Sequence, residues 1–282
     1  MAISNFIPTV WSESLYSALN AKYIAVANSN REFEGEIKNF GAKVKICGVG
    51  NISISDYTKN TDMSSPQTLS DTVKELTINQ AKYFNFQVDD IDKVQCSPKL
   101  LDAAMKNAAD ALAAEADKYV FKLYSKVKDR IVNDGADETN IIDTLIQARQ
   151  KLYENNVSDA SEIVFEVSPV VASMILKAKT ALSTDNTAAL ETGCIGSVAG
   201  CKIYVSNNIQ TETDSNDITS HMCIARTKRA IAFAEQLSEI DAYRPEKRFA
   251  DAVKGLHLYG ADIVYDNEIL VMSITPCLEY AQ

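Results

Sequence analysis

"SPKLLDAAMKNAADALAAEADKYVFKLYSKVKDRIVNDG", Ser97 to Gly135, is the stretch whose reading decides the fold. Ser97 is a good N-cap, because its hydroxyl can accept from a free N–H of the first turn, and Pro98 suits the first helical position because it has no N–H to leave unpaired. Apolar residues then return at helical spacing: Leu100, Leu101, Ala104, Met105, Ala108, Ala111, Leu112, Tyr119, Val120, Leu123, Tyr124, Val127 and Ile131. The opposite face carries Asp102, Lys106, Asp110, Lys118, Lys122 and Lys126, and Asp134-Gly135 supplies a stop. The spacing predicts one helix from Ser97 to Asn133, about 55 Å long at 1.5 Å per residue and greasy on one side only. Such a helix is a strut.

Upstream the period changes from helical to two. "AKVKICGVGNISISDY" and "VKELTINQAKYFNFQV" alternate like strands, with the polar, turn-rich "TKNTDMSSPQTLSD" between them. The pattern predicts a long two-stranded β-hairpin over Glu36 to Val88 with an exposed tip. An isolated ribbon is only marginally stable in water, so one this long implies something outside it to lie on. Before it, Trp11, Leu15, Ala18, Leu19 and Tyr23 sit at helical spacing, which predicts a short amphipathic helix inside an extended arm with little to pack on in its own chain.

Downstream, "TNIIDTLIQARQKLYENN" reads as a second amphipathic helix and "EIVFEV" as a buried strand. "SPVVASMILKAK" reads as a third helix, capped by Ser168 with Pro169 in its first turn. "GSVAGCKIYVSNN" and "MCIARTKRAIAFAEQL" read as strands around turns, and "LHLYGADIVYDNEILVMSI" as a closing pair.

Composition and charge narrow the function. The chain has 282 residues, 46% of them hydrophobic, enough for a sizeable core in one large domain or two lobes. No apolar run approaches the roughly 20 residues of a membrane span, and "MAISNFIPTVWSES" lacks the basic and apolar regions of a secretory signal, so the chain is expected to stay where it is made. The six cysteines, Cys47, Cys96, Cys194, Cys201, Cys223 and Cys277, form no CxxC and are expected to be reduced. A net charge of −10 argues against a protein whose task is gripping a nucleic-acid backbone. The basic clusters "RTKRA" (Arg226 to Ala230) and "YRPEKRF" (Tyr243 to Phe249) are short, interleaved with other residues, and read as solvated faces with local ion pairs.

Chemistry-bearing residues are sparse. Asp89, Asp90 and Asp92 crowd "FNFQVDDID" between a strand and a helix start, but without the Asn, Gly and Glu spacing of a calcium loop; they read as a solvated turn. His221 and Cys223 share a strand face at i and i+2, with no third or fourth ligand evident for zinc. There is no GxSxG elbow, and "GCIGSVAG" is neither a dinucleotide nor a phosphate loop. No catalytic residue, metal ligand or cofactor is assigned. A metal-dependent hydrolase built on Asp89, Asp90, Asp92 and His221 is the alternative of another class. An arm, a projecting ribbon and an over-long one-sided helix make little sense in a monomer, and point to a self-assembling structural protein.

Four stretches together resemble the major capsid proteins of tailed bacteriophages, the Hong Kong 97-type coat fold: "REFEGEIKNFGAKVKICGVG", "INQAKYFNFQVDDID", "PKLLDAAMKNAADALAAEADKYV" and "AIAFAEQLSEIDAYRPEKRFADAVKGLHLYGADIV". The resemblance implies an α+β fold with an N-terminal arm (1–35), an extended loop (36–82), a peripheral domain with its spine helix (83–134), an axial domain (135–260) and a return to the peripheral domain (261–282). It also implies a structural, non-enzymatic protein that assembles with itself into hexamers and pentamers of an icosahedral head, in the virion and built in the bacterial host cytoplasm. Further implied partners are a separate scaffolding protein, a portal and a decoration protein, with packaged double-stranded DNA touched only weakly and no membrane. The subunit-contact candidates are Trp11 and Leu15 in the arm, Tyr57, Lys59 and Asn60 at the loop tip, and Arg244, Glu246 and Arg248 in the basic cluster. Lys59 and Asn60 are the residue types of an isopeptide crosslink known in one relative, but no partner or base matches them here. An encapsulin-like shell around protein cargo is the alternative within the same fold.

Overall fold

A computed structural model describes residues 15, 18–20, 22–33, 41–49, 56, 59, 62, 71–89, 99–157, 159–178, 194–198, 200–215, 217–246 and 250–277. The hairpin is β1 (Lys43–Val49) and β2 (Asp71–Thr77), antiparallel from Lys43↔Thr77 to Val49↔Asp71. Its second arm stops earlier than the alternation suggested. At Ile78 the chain turns: Ile78 donates to the Ala42 carbonyl and accepts from Gly41. The continuation, β3 (Gln80–Asp89), then joins a different sheet.

That sheet has the order β10-β11-β3, with β10 (Ile231–Tyr243) and β11 (Ala250–Ile263) joined antiparallel. One face receives α1 (Lys99–Phe121), whose Met105, Ala109, Leu112, Ala113, Ala116 and Val120 are buried with Phe233, Ile240, Val253 and Tyr259. Gly255 faces Phe84 across the ladder, and the Phe84 ring covers the space a side chain at 255 would need. Gly260 lies against the backbone at Thr77 and Ile78, so close that a Cβ would collide with the Thr77 carbonyl oxygen. There the base of the hairpin beds down, with Val44, Ile46, Leu76 and Ile78 packed on Ala232, Ala234 and Leu258.

The strut is shorter than expected. It ends at Phe121, passes through a 3-10 segment over Lys122–Lys126, and becomes extended at Val127, so it spans about 35 Å. Residues 130–133, predicted as its last turn, belong instead to β4 (Arg130–Ala136), paired in parallel with β12 (Ile269–Pro276). Val127 and Ile131 keep the i, i+4 spacing of a helix face, yet pack on two different cores; the Val127 N–H donates to the Tyr124 carbonyl, and Ile131 lies in the ladder with β12, which satisfies backbone groups as a helix would. Gly135, expected as a helix stop, has φ 87° at a register shift in this ladder, a position that favours glycine.

The second sheet has the order β4-β12-β9-β5-β7-β6, with β5 (Ile163–Val167), β6 (Cys194–Val198), β7 (Cys201–Val205) and β9 (Thr219–Thr227); β8 (Thr211–Thr213) pairs with β9. Helices α2 (Ile141–Glu154) and α3 (Pro169–Lys177) cover it through Leu145, Leu152, Val171, Met174 and Ile175, as their periodicity predicts. Ser168 caps α3 by accepting from the Val171 N–H at 3.4 Å. The closing strands do not pair with each other: β11 lies in the three-stranded sheet and β12 in the larger one, between the edge strand β4 and β9. The sheets therefore cut across the expected boundaries at 134/135 and 260/261.

Candidate assembly surface and the strap behind it

The chemistry candidates do not converge. Asp89 ends β3, whereas Asp90 and Asp92 lie outside the described residues. His221 is half-buried on β9, opposite Ile274 and Thr211, and burial lowers its pKa. Cys223 is fully buried and burial pushes its thiol up to about 12, the reverse of what a thiolate ligand or nucleophile requires. Among the described residues no group of three His, Cys, Asp or Glu is placed to hold a metal ion. No described helix is long and apolar enough to cross a membrane.

The outer face of the three-stranded sheet is open instead. Tyr83 is 79% exposed on the edge strand β3, directly opposite the partly exposed Leu256. Beside them Asn85 bonds the Tyr243 hydroxyl at 3.1 Å, and Lys254 lies over the Tyr243 ring and 3.3 Å from Asp241. Apolar surface ringed by polar and charged groups is the pattern of a contact face. The hairpin stands next to it: Val73 is exposed on β2, and Lys59 is exposed at the tip. Arg244 and Glu246 are exposed where β10 ends. Trp11, Tyr57, Asn60 and Arg248 lie outside the described residues.

Leu15 is placed differently from expectation. It is 1% exposed, in the same core as α1, and Leu19 beside it is equally buried. The expectation that this part of the arm has little to pack on is corrected: the inner stripe of its helix is covered by its own chain.

The following segment, Tyr23–Arg31, forms a strap gripped by three buried carboxylates from three different elements. Asp117 of α1 accepts from the backbone N–H groups of Ile24 at 3.0 Å and Val26 at 3.1 Å. Glu235 of β10 accepts from Arg31 at 2.5 Å, from the Tyr23 hydroxyl, and lies 2.9 Å from His257 Nε2. Glu166 of β5 takes Arg226 of β9 in a two-pronged pair at 2.8 and 2.9 Å, both side chains fully buried. The remaining Arg226 donors reach the carbonyls of Ala25 and Asn28, each at 2.7 Å, and the Ser29 hydroxyl. Asn30 completes the attachment by bridging to the edge of β10. Burial raises Asp117 to about 6 and drives the Tyr23 hydroxyl far above its ordinary range, with Glu235 adding to the latter.

Arg226 is a correction to the reading of "RTKRA" as a solvated face. The signal was present: Glu166 interrupts "IVFEV" and Arg226 ends "MCIAR", two opposite charges in otherwise apolar strands, and β5 lies next to β9 at Val164↔Arg226. A charge in a buried strand calls for a partner.

No protein-family model matches the chain, and no curated protein sequence does. Solved structures do. A structure of Mycobacterium phage Che8 is similar over 89% of this chain and 90% of its own, at 28% identity and a TM-score of 0.69. The capsid structure of the cyanophage P-SCSP1u is similar over 88% and 86%, at 13% identity and a TM-score of 0.67. A virus-like particle from Pyrococcus furiosus is similar over 94% and 99%, at 12% identity and a TM-score of 0.56. The chain has the phage capsid fold that its sequence resembles.

Proposed function

We propose that this chain is a structural major capsid protein, which assembles with itself into hexamers and pentamers and so forms the icosahedral head around double-stranded DNA. The observation that carries this is the likeness to phage structures over nearly nine-tenths of both chains. The protein works by shape, with no catalytic step. A chain of net charge −10 suits a wall that must hold packaged DNA without binding it tightly. In this reading α1 and the three-stranded sheet form the peripheral domain, the seven-stranded sheet with α2 and α3 forms the axial domain, and the hairpin is the extended loop that lies on a neighbouring subunit. Lys59, Arg244 and Glu246 face neighbours together with Trp11, Tyr57, Asn60 and Arg248, while Leu15 supports the arm from inside. A scaffolding protein, a portal and a decoration protein complete the particle, which is built in the host cytoplasm.

A second reading, a shell around protein cargo, is favoured by the full-length likeness to the Pyrococcus furiosus virus-like particle. Negative-stain electron microscopy of the purified chain, with assay of the particles for nucleic acid, tests both. Closed shells, rings or sheets are expected; shells holding protein cargo favour the second reading, and a strict monomer in every condition refutes both. Deleting the hairpin tip, 57–70, is expected to leave a folded chain that no longer closes shells, and unchanged shells would refute the placement of the hairpin on a neighbour.

A further inference from the structure

Two strands run through both sheets. β9 leads into β10 and β11 into β12, and the two lie side by side antiparallel, β9 against β12 in the larger sheet and β10 against β11 in the smaller. Between the pairs Arg226↔Ile269 and Ile231↔Ile263 the ladder breaks, with residues 227–230 on one side and 264–268 on the other. The Ala230 carbonyl spans the gap, accepting from Val264 at 2.8 Å and from Tyr265 at 3.3 Å. On the larger-sheet half of this ribbon Ile224 and Ile269 still reach the core of α1, whereas Ala225, Leu270 and Met272 belong to the core of α2 and α3. A ribbon broken where one core gives way to another is a joint.

The strap lies across that joint. It starts on the smaller-sheet side, with the Tyr23 hydroxyl on Glu235 and the Ile24 and Val26 N–H groups on Asp117. It then meets the larger sheet, where Arg226 holds the Ala25 and Asn28 carbonyls and the Ser29 hydroxyl. It returns to β10, where Asn30 donates to the Ile231 carbonyl at 2.9 Å and accepts from Phe233 at 2.8 Å, and Arg31 pairs with Glu235. Arg226 and Ile231 are the paired residues on either side of the break, and the strap ties one to the other from outside the ladder. The ion pairs at the joint itself, Arg229 with Glu268 and Lys128 with Asp266, have exposed cations and contribute little.

We propose that the break is a hinge between the two sheets and that the Tyr23–Arg31 strap is the splint that sets its angle. With the strap gripped at Arg226 and at β10, the sheets move as one body. With the Arg226 grip removed, the strap stays on α1 and β10 and the larger sheet turns on the ribbon. The motion is large enough to read. Gln87 lies opposite Ala252, so along β11 it stands about 35 Å from the joint at Ile263, at about 3.3 Å per residue. A turn of about 10° carries it through about 6 Å. This inference concerns a single chain, and its failure would leave the assembly reading untouched.

The test is double electron–electron resonance on the purified chain, between nitroxides carried by azido amino acids at Gln87 and at Gln150 of α2, both exposed, a chemistry that leaves the six cysteines alone. Wild type is expected to give one narrow distance. The double variant Arg226→Met with Glu166→Leu, which removes the grip without stranding a buried charge, is expected to spread that distance over about 6 Å more. Asn30→Pro, which removes the bond to the Ile231 carbonyl at the other side of the break, should spread it too. Hydrogen exchange within β11 and β12 should stay as in wild type in both variants. A wild-type distance already that broad overturns the proposal with no variant needed, and so does a folded variant as narrow as wild type. Loss of protection through both sheets in both variants overturns it as well, because the strap would then be part of the fold and not a splint upon it.

Discussion

Replacing Arg226 by Met removes the most connected buried side chain in the molecule. Arg226 donates two bonds to Glu166 and one each to the Ala25 carbonyl, the Asn28 carbonyl and the Ser29 hydroxyl, with the Arg226 and Glu166 side chains both at zero exposure. Without it, among the described residues, Glu166 keeps the amide of Asn28, at 3.3 Å, as its one hydrogen-bond donor. Breaking a fully buried pair from one side costs about 3–5 kcal/mol, because the surviving charge is left uncompensated. The Ala25 carbonyl still accepts from Ser29, so the Asn28 carbonyl is the main further loss, at about 1 kcal/mol or more. The expected total, about 4–6 kcal/mol, compares with the roughly 5–15 kcal/mol that holds a typical domain folded. Urea unfolding followed by circular dichroism measures it, and the thermal midpoint should fall by roughly 10–20 °C. Adding Glu166→Leu removes the stranded charge and should recover most of the loss, a coupling of about 3 kcal/mol. If Arg226→Met costs under 1 kcal/mol, or the second change recovers nothing, the pair is not the fastener described here.

Two further substitutions test the packing. Gly260→Ala drives a methyl into the Thr77 carbonyl and within 3.1 Å of the Ile78 Cα, backbone that cannot rotate away, and is expected to cost about 1–3 kcal/mol and loosen β1 and β2 to exchange; Gly255→Ala meets only the Phe84 ring and should cost less, so the reverse order would refute the close approach. Leu112→Asp sets a carboxylate among Leu15, Leu19 and Phe233 and should abolish soluble folded protein; an assembling variant would show that the buried face of α1 is assigned wrongly.

Much of the fold was legible because its elements bury one clean face. The α2 and α3 patterns and the alternation of β1 and β2 match what the structure buries, and the α1 stripe is right at Met105, Leu112, Val120 and Leu123, although Ala111 is exposed and the buried Ala109, Ala113 and Ala116 lie outside it. The sequence misled where one pattern served two partners. Val127 and Ile131 looked like a helix face because four-residue spacing does not say which core each side chain meets. "VKELTINQAKYFNFQV" alternates without interruption, although the chain changes sheets at Ile78-Asn79, since a turn of two residues leaves the period intact. The strap was invisible for another reason. Glu166 stood out as a charge in an apolar strand, but Asp117 and Glu235 are unremarkable acids in the chain, and their burial follows from a helix and a strand far apart in sequence converging on one turn.

The position of β12 ties the molecule to the order of its synthesis. It lies between β4 and β9, so β4 has no partner in the larger sheet until residues 269–276 exist. Its parallel partner β4 leaves the ribosome about 140 residues earlier, a wait on the order of ten seconds at ordinary translation rates. During that wait β4 and β9 each have an unpaired edge, the kind of surface that captures other nascent chains. β12 pairs with both strands at once. A product truncated before residue 269 therefore presents an open sheet edge at β9 and a β4 with no partner strand in that sheet.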